Sequence, residues 1–184
     1  MDFLKNNYPA VSTGLFVTAI VFAQMVSTNN YDWTKHTISH LGSQGYDRKH
    51  IMQFGFLAFG LTLAAGVLLN GITWQATPIL VYGLCVGLTG IFCAKPFFPY
   101  EAYSVRQAAI HSWLAQLAGL AFTLGVLGQL FSTPDKKEKF FHLIFFILVM
   151  GLSASFGLVK HYQGVFQRLL YGVSFLWLLK FYRH

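Results

Sequence analysis

Charge is the scarcest commodity in this 184-residue chain: aspartate, glutamate, lysine and arginine make up 10% of it, against 55% hydrophobic and 17% aromatic residues. A soluble domain carries about 25% charged residues, so a water-soluble globule is excluded. Acid is scarcer still, with six aspartates and glutamates against thirteen lysines and arginines, for a net charge of +7. The basic residues stand singly at the ends of apolar runs, where they suit lipid headgroups and snorkelling. Nucleic acid is therefore not an expected partner; membrane lipids are. Cysteine is limited to Cys85 and Cys93, in one apolar stretch, where a single helix does not bring them within bonding distance and small packing residues are the simpler reading. No internal repeat and no low-complexity tract is visible. Lys5 ahead of Val11 to Met25 resembles a signal peptide, but no small-x-small cleavage site follows and further spans do, so this stretch is expected to be the first transmembrane helix.

Long charge-free runs are what the chain has instead: Asn6 to Tyr31, His50 to Ala94, Gln107 to Pro134, Phe140 to Val159 and Leu169 to Leu179. A hydrocarbon core of about 30 Å takes roughly 20 apolar residues per helix, which divides these runs into one, two, one, one and a weak last crossing. The expectation is an all-α polytopic membrane protein, a single domain of six transmembrane helices over residues 1–184. The helices are placed at about Pro9 to Thr28, Ile51 to Ile72, Pro78 to Ala94, Val105 to Phe131, Phe140 to Val159 and Gly164 to Tyr182. Proline opens the first, where a first-turn N–H has no helical partner, and Pro96 and Pro99 forbid continuation of the third. Lys136 to Lys139 is expected to be a solvated loop. Small residues recur at one-turn spacing in Gly83 and Gly87, Ala115 and Gly119, Ala121 and Gly125, and Ser153 and Gly157, and these faces are expected to pack helix against helix.

An even helix number puts both termini on one side. Three polar connections then share the other side: Asn29 to His50, Lys95 to Ser104 and Lys160 to Gln163. Lysines and arginines divide almost evenly between the sides, so the positive-inside rule does not decide. The exposed lysines of the terminal side favour cytoplasmic termini.

The chemically capable residues gather in those three connections. In the first, Trp33, Ile38 and Leu41 at helical spacing predict a short interfacial helix ended by Gly42, and His36 and His40 lie one turn apart, as metal ligands or as plain interfacial histidines. In the second, Glu101 precedes a helix in which Gln107 and His111 share a face, with His111 about 9 Å inside the helix end at 1.5 Å per residue. An ionisable group at that depth is a functional candidate by default; its other reading is a buried histidine bonded to a neighbouring helix carbonyl. In the third, the last helix reaches spanning length only by including Arg168, which stays charged and must snorkel or find a partner. Glu101 is the leading partner, with Asp32 and Asp47 as rivals. Gln167, Ser153, Ser155, Lys160 and His161 add polar groups nearby, whereas His142 belongs to the opposite end.

Ile38-Ser39-x-Leu41-Gly42, Phe98-Pro99-x-Glu101, His111 opening the fourth helix, and Gln167-Arg168 with Trp177 in the last, taken in order, resemble the six-helix bacterial membrane family catalogued as domain of unknown function 998. The resemblance covers nearly the whole chain and implies a six-helix fold in a bacterial plasma membrane, with no known activity. Two positions depart from its pattern: Glu101 stands where aspartate is more usual, and His40 where an acid is common, which weighs against a metal role for His40.

Three functions are consistent with the pattern. The first is binding or transport of a lipid headgroup or other anion on Arg168, with Ser39, His40, Glu101, Gln107, His111 and Gln167 around it; arginine suits phosphate because its planar fork bonds two oxygens. The second is a membrane-embedded hydrolase with His111 as general base toward Ser39 or water and Glu101 orienting it, although no nucleophile elbow appears. The third is a haem or metal protein using His40, His111 and His161. The first calls for no cofactor.

Overall fold

The computed structural model describes residues 2–98 and 102–182, and among them finds six α-helices and no strand. They are α1 (Asp2–Met25), α2 (Lys49–Asn70), α3 (Thr77–Leu88), α4 (Val105–Ser132), α5 (Lys136–Leu158) and α6 (Gln163–Lys180). Each packs on its neighbour in the chain, while α1 and α6 touch only lightly. The rings of Tyr8 and Tyr182 meet at 6.3 Å, which brings the beginning of α1 beside the end of α6. α1, α2, α4 and α5 are each long and apolar enough to cross a membrane; α3, at 12 residues, is shorter, and α6 has 18. The chain is an α-helical membrane protein.

The core is aromatic. Phe16 of α1 is fully enclosed and stands against Phe56 and Phe59 of α2 (5.3 and 5.2 Å between ring centres) and Tyr171 and Phe175 of α6 (4.9 and 5.7 Å). Trp177 reaches Phe122 of α4 and donates its indole N–H to Nδ1 of the buried His142 of α5 (3.0 Å). α5 is otherwise the least covered helix.

Four boundaries depart from expectation, each for a local reason. α1 begins at Asp2, leaving Pro9 inside the helix. Proline lacks the N–H that would bond the carbonyl four residues back, and that carbonyl, of Lys5, is taken instead by Asn70 Nδ2 of α2 at 2.8 Å. α5 begins at Lys136, because the Asp135 carboxylate accepts the Lys137 N–H (2.9 Å) and caps the helix; the lysines expected in a loop form its first turn. α3 ends at Leu88 and tightens through Gly90 N–H to Gly87 O (2.9 Å) and Ile91 N–H to Leu88 O (3.0 Å). The segment expected as an interfacial helix is a short 3-10 helix, Ile38–Gly42, that excludes Trp33 and whose Ile38 and Leu41 are 1% and 0% exposed. Those side chains face protein, not lipid.

The small residues divide in the same way. Gly60 of α2 lies against Gly83 and Gly87 of α3 so closely that an added Cβ would stand 2.5 Å from Gly83 O and Gly87 Cα, both backbone atoms. Ala121 and Gly125 are buried, Gly125 against Ile79. Ala115, Gly119, Ser153 and Gly157 instead face outward, and a Cβ at Gly119 or Gly157 would meet nothing. Gly60→Ala is therefore expected to lower stability by about 1–3 kcal/mol through overpacking, whereas Gly119→Ala leaves it unchanged or slightly raised; apparent unfolding temperatures in detergent compare the two.

Candidate functional site

Arg168 sits a little more than one turn into α6, and the chain folds back to surround it. Its Nη1 donates to the carbonyl oxygens of Trp33 (2.8 Å), Gly164 (3.0 Å) and His36 (3.2 Å). Nη2 donates to the Tyr31 hydroxyl (2.7 Å) and to Gln24 Oε1 (3.0 Å) at the end of α1. The guanidinium carbon also lies 6.0 and 5.9 Å from the ring centres of Tyr31 and Trp33, within cation–π range. Five neutral acceptors and two rings thus solvate the charge. Burial pushes the Tyr31 phenol up, with Arg168 opposing, so the hydroxyl keeps its proton, placed 3.0 Å from Thr37 O.

This clasp needs Gly164. The first connection runs so close to the start of α6 that a Cβ there would strike Trp33 O and stand 2.6 and 2.8 Å from His36 O and Thr34 O. With hydrogen alone in that space, the Val165 N–H reaches Thr34 O (3.1 Å) and caps the helix. Gln167 completes the seam: its Oε1 accepts the Ile38 N–H (2.6 Å) and its Nε2 donates to Ser39 Oγ (3.3 Å).

The histidines of the connection are structural acceptors. His36 Nδ1 takes the Asp32 N–H (3.0 Å) and His40 Nδ1 the Thr37 N–H (3.1 Å), which fixes the proton of each neutral ring on Nε2. Both rings pack on Phe97, at 4.7 and 5.8 Å, beside Tyr31 and Tyr46. Burial, then His36, Lys95 and His111 nearby, push His40 down to about 3; burial also lowers His36. Asp32 is held down to about 2 by its bonds from the Thr34 hydroxyl and N–H, with Lys35 at 3.5 Å.

The second connection is tied in by Gln44, whose side chain donates to Cys93 O (3.2 Å) and Ser104 O (3.1 Å) and accepts the Ser104 N–H (2.8 Å). His111 is buried in α4 with Nδ1 2.8 Å from Phe92 O, a carbonyl beyond the early end of α3. Inside a membrane such a carbonyl must be met by the protein, and His111 meets it.

Between α1 and α6, where the two helices barely touch, lies a lateral cleft of about 430 Å³. Gln24, Trp33 and Arg168 form its polar end beside the connection; Val17, Ile20, Tyr171 and Phe175 carry it down between the helices, and Gly172 opens onto it with nothing within reach of an added Cβ.

Of the residues singled out in the sequence, Ser39, Gln167 and Arg168 come together. Arg168 has no carboxylate partner among the described residues, Asp32 and Asp47 included; Glu101 lies outside them. Ser39 meets Gln167, and no hydrogen bond joins it to His111. Gln107 is exposed at the start of α4, where its N–H is 3.3 Å from Ser104 Oγ. His161 is exposed against Tyr162 (5.1 Å). Among the described residues no three histidine, cysteine or acidic side chains are grouped to hold a metal, so His40, His111 and His161 form no such centre. Gln24, Tyr31, Trp33, Gln44 and Gly164 were not anticipated. The available signals were a glutamine within the apolar stretch of the first run and a glycine one turn before Arg168.

The sequence profile of the family described as Protein of unknown function (DUF998) matches residues 10–184. The chain belongs to this family. No curated protein and no solved structure matches it. The DUF998 match spans α6 with its clasp, the first connection and all but the beginning of α1.

Gly164→Ala in this DUF998 member is expected to force the connection off α6 and lower the unfolding temperature, costing about 1–3 kcal/mol, with new protease cleavage between residues 29 and 37 as the direct readout. The histidines set a pH dependence. Unfolded His40 takes a proton below about pH 6.5, whereas the folded one resists until about 3, so stability is full above pH 6.5 and falls as pH drops through that window. His40→Asn, which keeps an acceptor for Thr37, is expected to flatten the decline in unfolding temperature between pH 7 and pH 5.

Proposed function

We propose that this chain binds, and by lateral exchange transports, a lipid headgroup or other small anion at the membrane face away from its termini. One observation carries the reading: Arg168 brings a full positive charge to the head of an apolar cleft, and among the described residues no carboxylate neutralises it. A charge in a membrane helix is costly, and marks a ligand or ion path by default. The cleft has the size of a small ligand pocket, at the lower end of the ~300–1,000 Å³ range, and it opens sideways toward lipid. The family resemblance supports a bacterial plasma membrane; with cytoplasmic termini, the cleft belongs to the outer leaflet. The hydrolase reading gains no support, since Ser39 and His111 each have another partner.

Blocking the cleft tests the proposal without touching the clasp. Gly172→Trp fills open space, and Gly119→Trp does the same on an outward face of α4. By native mass spectrometry of chain purified in mild detergent, the first is expected to lose about tenfold in retained lipid, equivalent to ~1.4 kcal/mol, and the second none. Equal retention in both would remove the cleft as the site.

A further inference from the structure

Resting on that reading, we infer the class of ligand: a membrane amphiphile with one anionic, acceptor-rich phosphodiester headgroup and no amine. The polar end of the cleft offers donors. The Gln24 side chain gives its Oε1 to Arg168, which leaves its amide N–H pair without a partner among the described residues and free to donate. The Trp33 indole N–H is likewise unclaimed among them, while its ring is occupied against Arg168. An indole nitrogen only donates, and so does a guanidinium.

The acceptors there already serve Arg168. Gln24 Oε1, the Tyr31 hydroxyl oxygen and the Trp33 and His36 carbonyls all point at Arg168. Among the described residues no acidic side chain lines the cleft. Asp32, the neighbour of Trp33 in the chain, is engaged by Thr34 and Lys35. An ammonium-bearing headgroup would find no carboxylate among the described residues, would compete with Arg168 for the same rings, and would be repelled by the guanidinium at short range. A phosphodiester oxygen gains the opposite: charge from Arg168 and hydrogen bonds from Gln24 and Trp33, which a charged acceptor makes roughly twice as strong as a neutral one.

The apolar part fixes the rest. From Gln24 to Val17 is seven residues, about 10 Å along the helix axis, walled by Ile20, Tyr171 and Phe175. A soluble phosphate would leave that length unfilled; an acyl chain descending from the headgroup fills it, and Gly172 is its lateral doorway.

The chain purified in neutral detergent and stripped of bound lipid is mixed at matched concentrations with phosphatidylglycerol, phosphatidylethanolamine or glycerol phosphate, and occupancy is read by native mass spectrometry and by the rise in unfolding temperature. Phosphatidylglycerol is expected to occupy the chain at least about tenfold better than either of the others, because Arg168 repels the ethanolamine ammonium and glycerol phosphate has no acyl chain to fill the slot. Trp33→Phe, which keeps the ring over Arg168 and removes the indole N–H, is expected to lower phosphatidylglycerol occupancy several-fold with little change in unfolding temperature. Equal occupancy by the two lipids would overturn the amine-free class while leaving lipid binding in place. Glycerol phosphate acting as well as phosphatidylglycerol would overturn the amphiphile. Failure of all three to bind would bring down the proposed function itself.

Discussion

One charge organises this molecule. A guanidinium in a helix flanked by apolar sequence is tolerable only if acceptors replace its water, and the chain supplies five, from the end of α1, the first connection and α6 itself. Meeting that need dictates the path of residues 31–39, which lie over the start of α6 instead of in solvent. Gly164 permits the approach, Gln167 stitches it, and the 3-10 helix Ile38–Gly42 turns its apolar side chains into the bundle as a result.

The cleft follows from the same constraint. α1 and α6 are joined at one end through Gln24 and Arg168 and approach at the other through Tyr8 and Tyr182. In between, Phe16 still meets Tyr171 and Phe175 on the inner side, while on the outer side Gly172 supplies no side chain to close the gap. A polar mouth above an apolar slot is thus a consequence of clasping two helices at their ends, with aromatic packing on Phe16 forming the inner wall.

Composition and run length were enough to read the class, the helix number and most helix positions, because a membrane imposes its thickness on apolar runs directly. They did not reveal where backbone groups find unusual partners. Asn70 rescuing the Lys5 carbonyl across helices lets α1 extend past Pro9, and Asp135 capping α5 absorbs the lysines expected in a loop; both are side-chain decisions made by tertiary contact. Arg168 was identifiable as the charge that most needed company; of the acids considered for it, Asp32 and Asp47 are not its partners and Glu101 lies outside the described residues. The partners it has among the described residues are three carbonyls, an amide and a phenol, and a carbonyl partner leaves no mark in sequence. His111 was identifiable by depth alone, and its partner, the Phe92 carbonyl, became visible only once α3 was seen to stop early.

The neutral character of the Arg168 shell is what separates a clamp from a receptor in the reading proposed above. A clamp gains most from a counter-charge, and the chain has Asp32 one residue from Trp33, in the same connection that embraces the guanidinium. That carboxylate is bonded instead by Thr34 and lies beside Lys35. Among the described residues, carbonyls, an amide and a phenol hold the guanidinium in place, and none of them carries a charge to cancel its own. In the proposed reading, that neutral shell of described residues leaves place for one negative charge where two further donors, Gln24 and Trp33, adjoin the apolar slot.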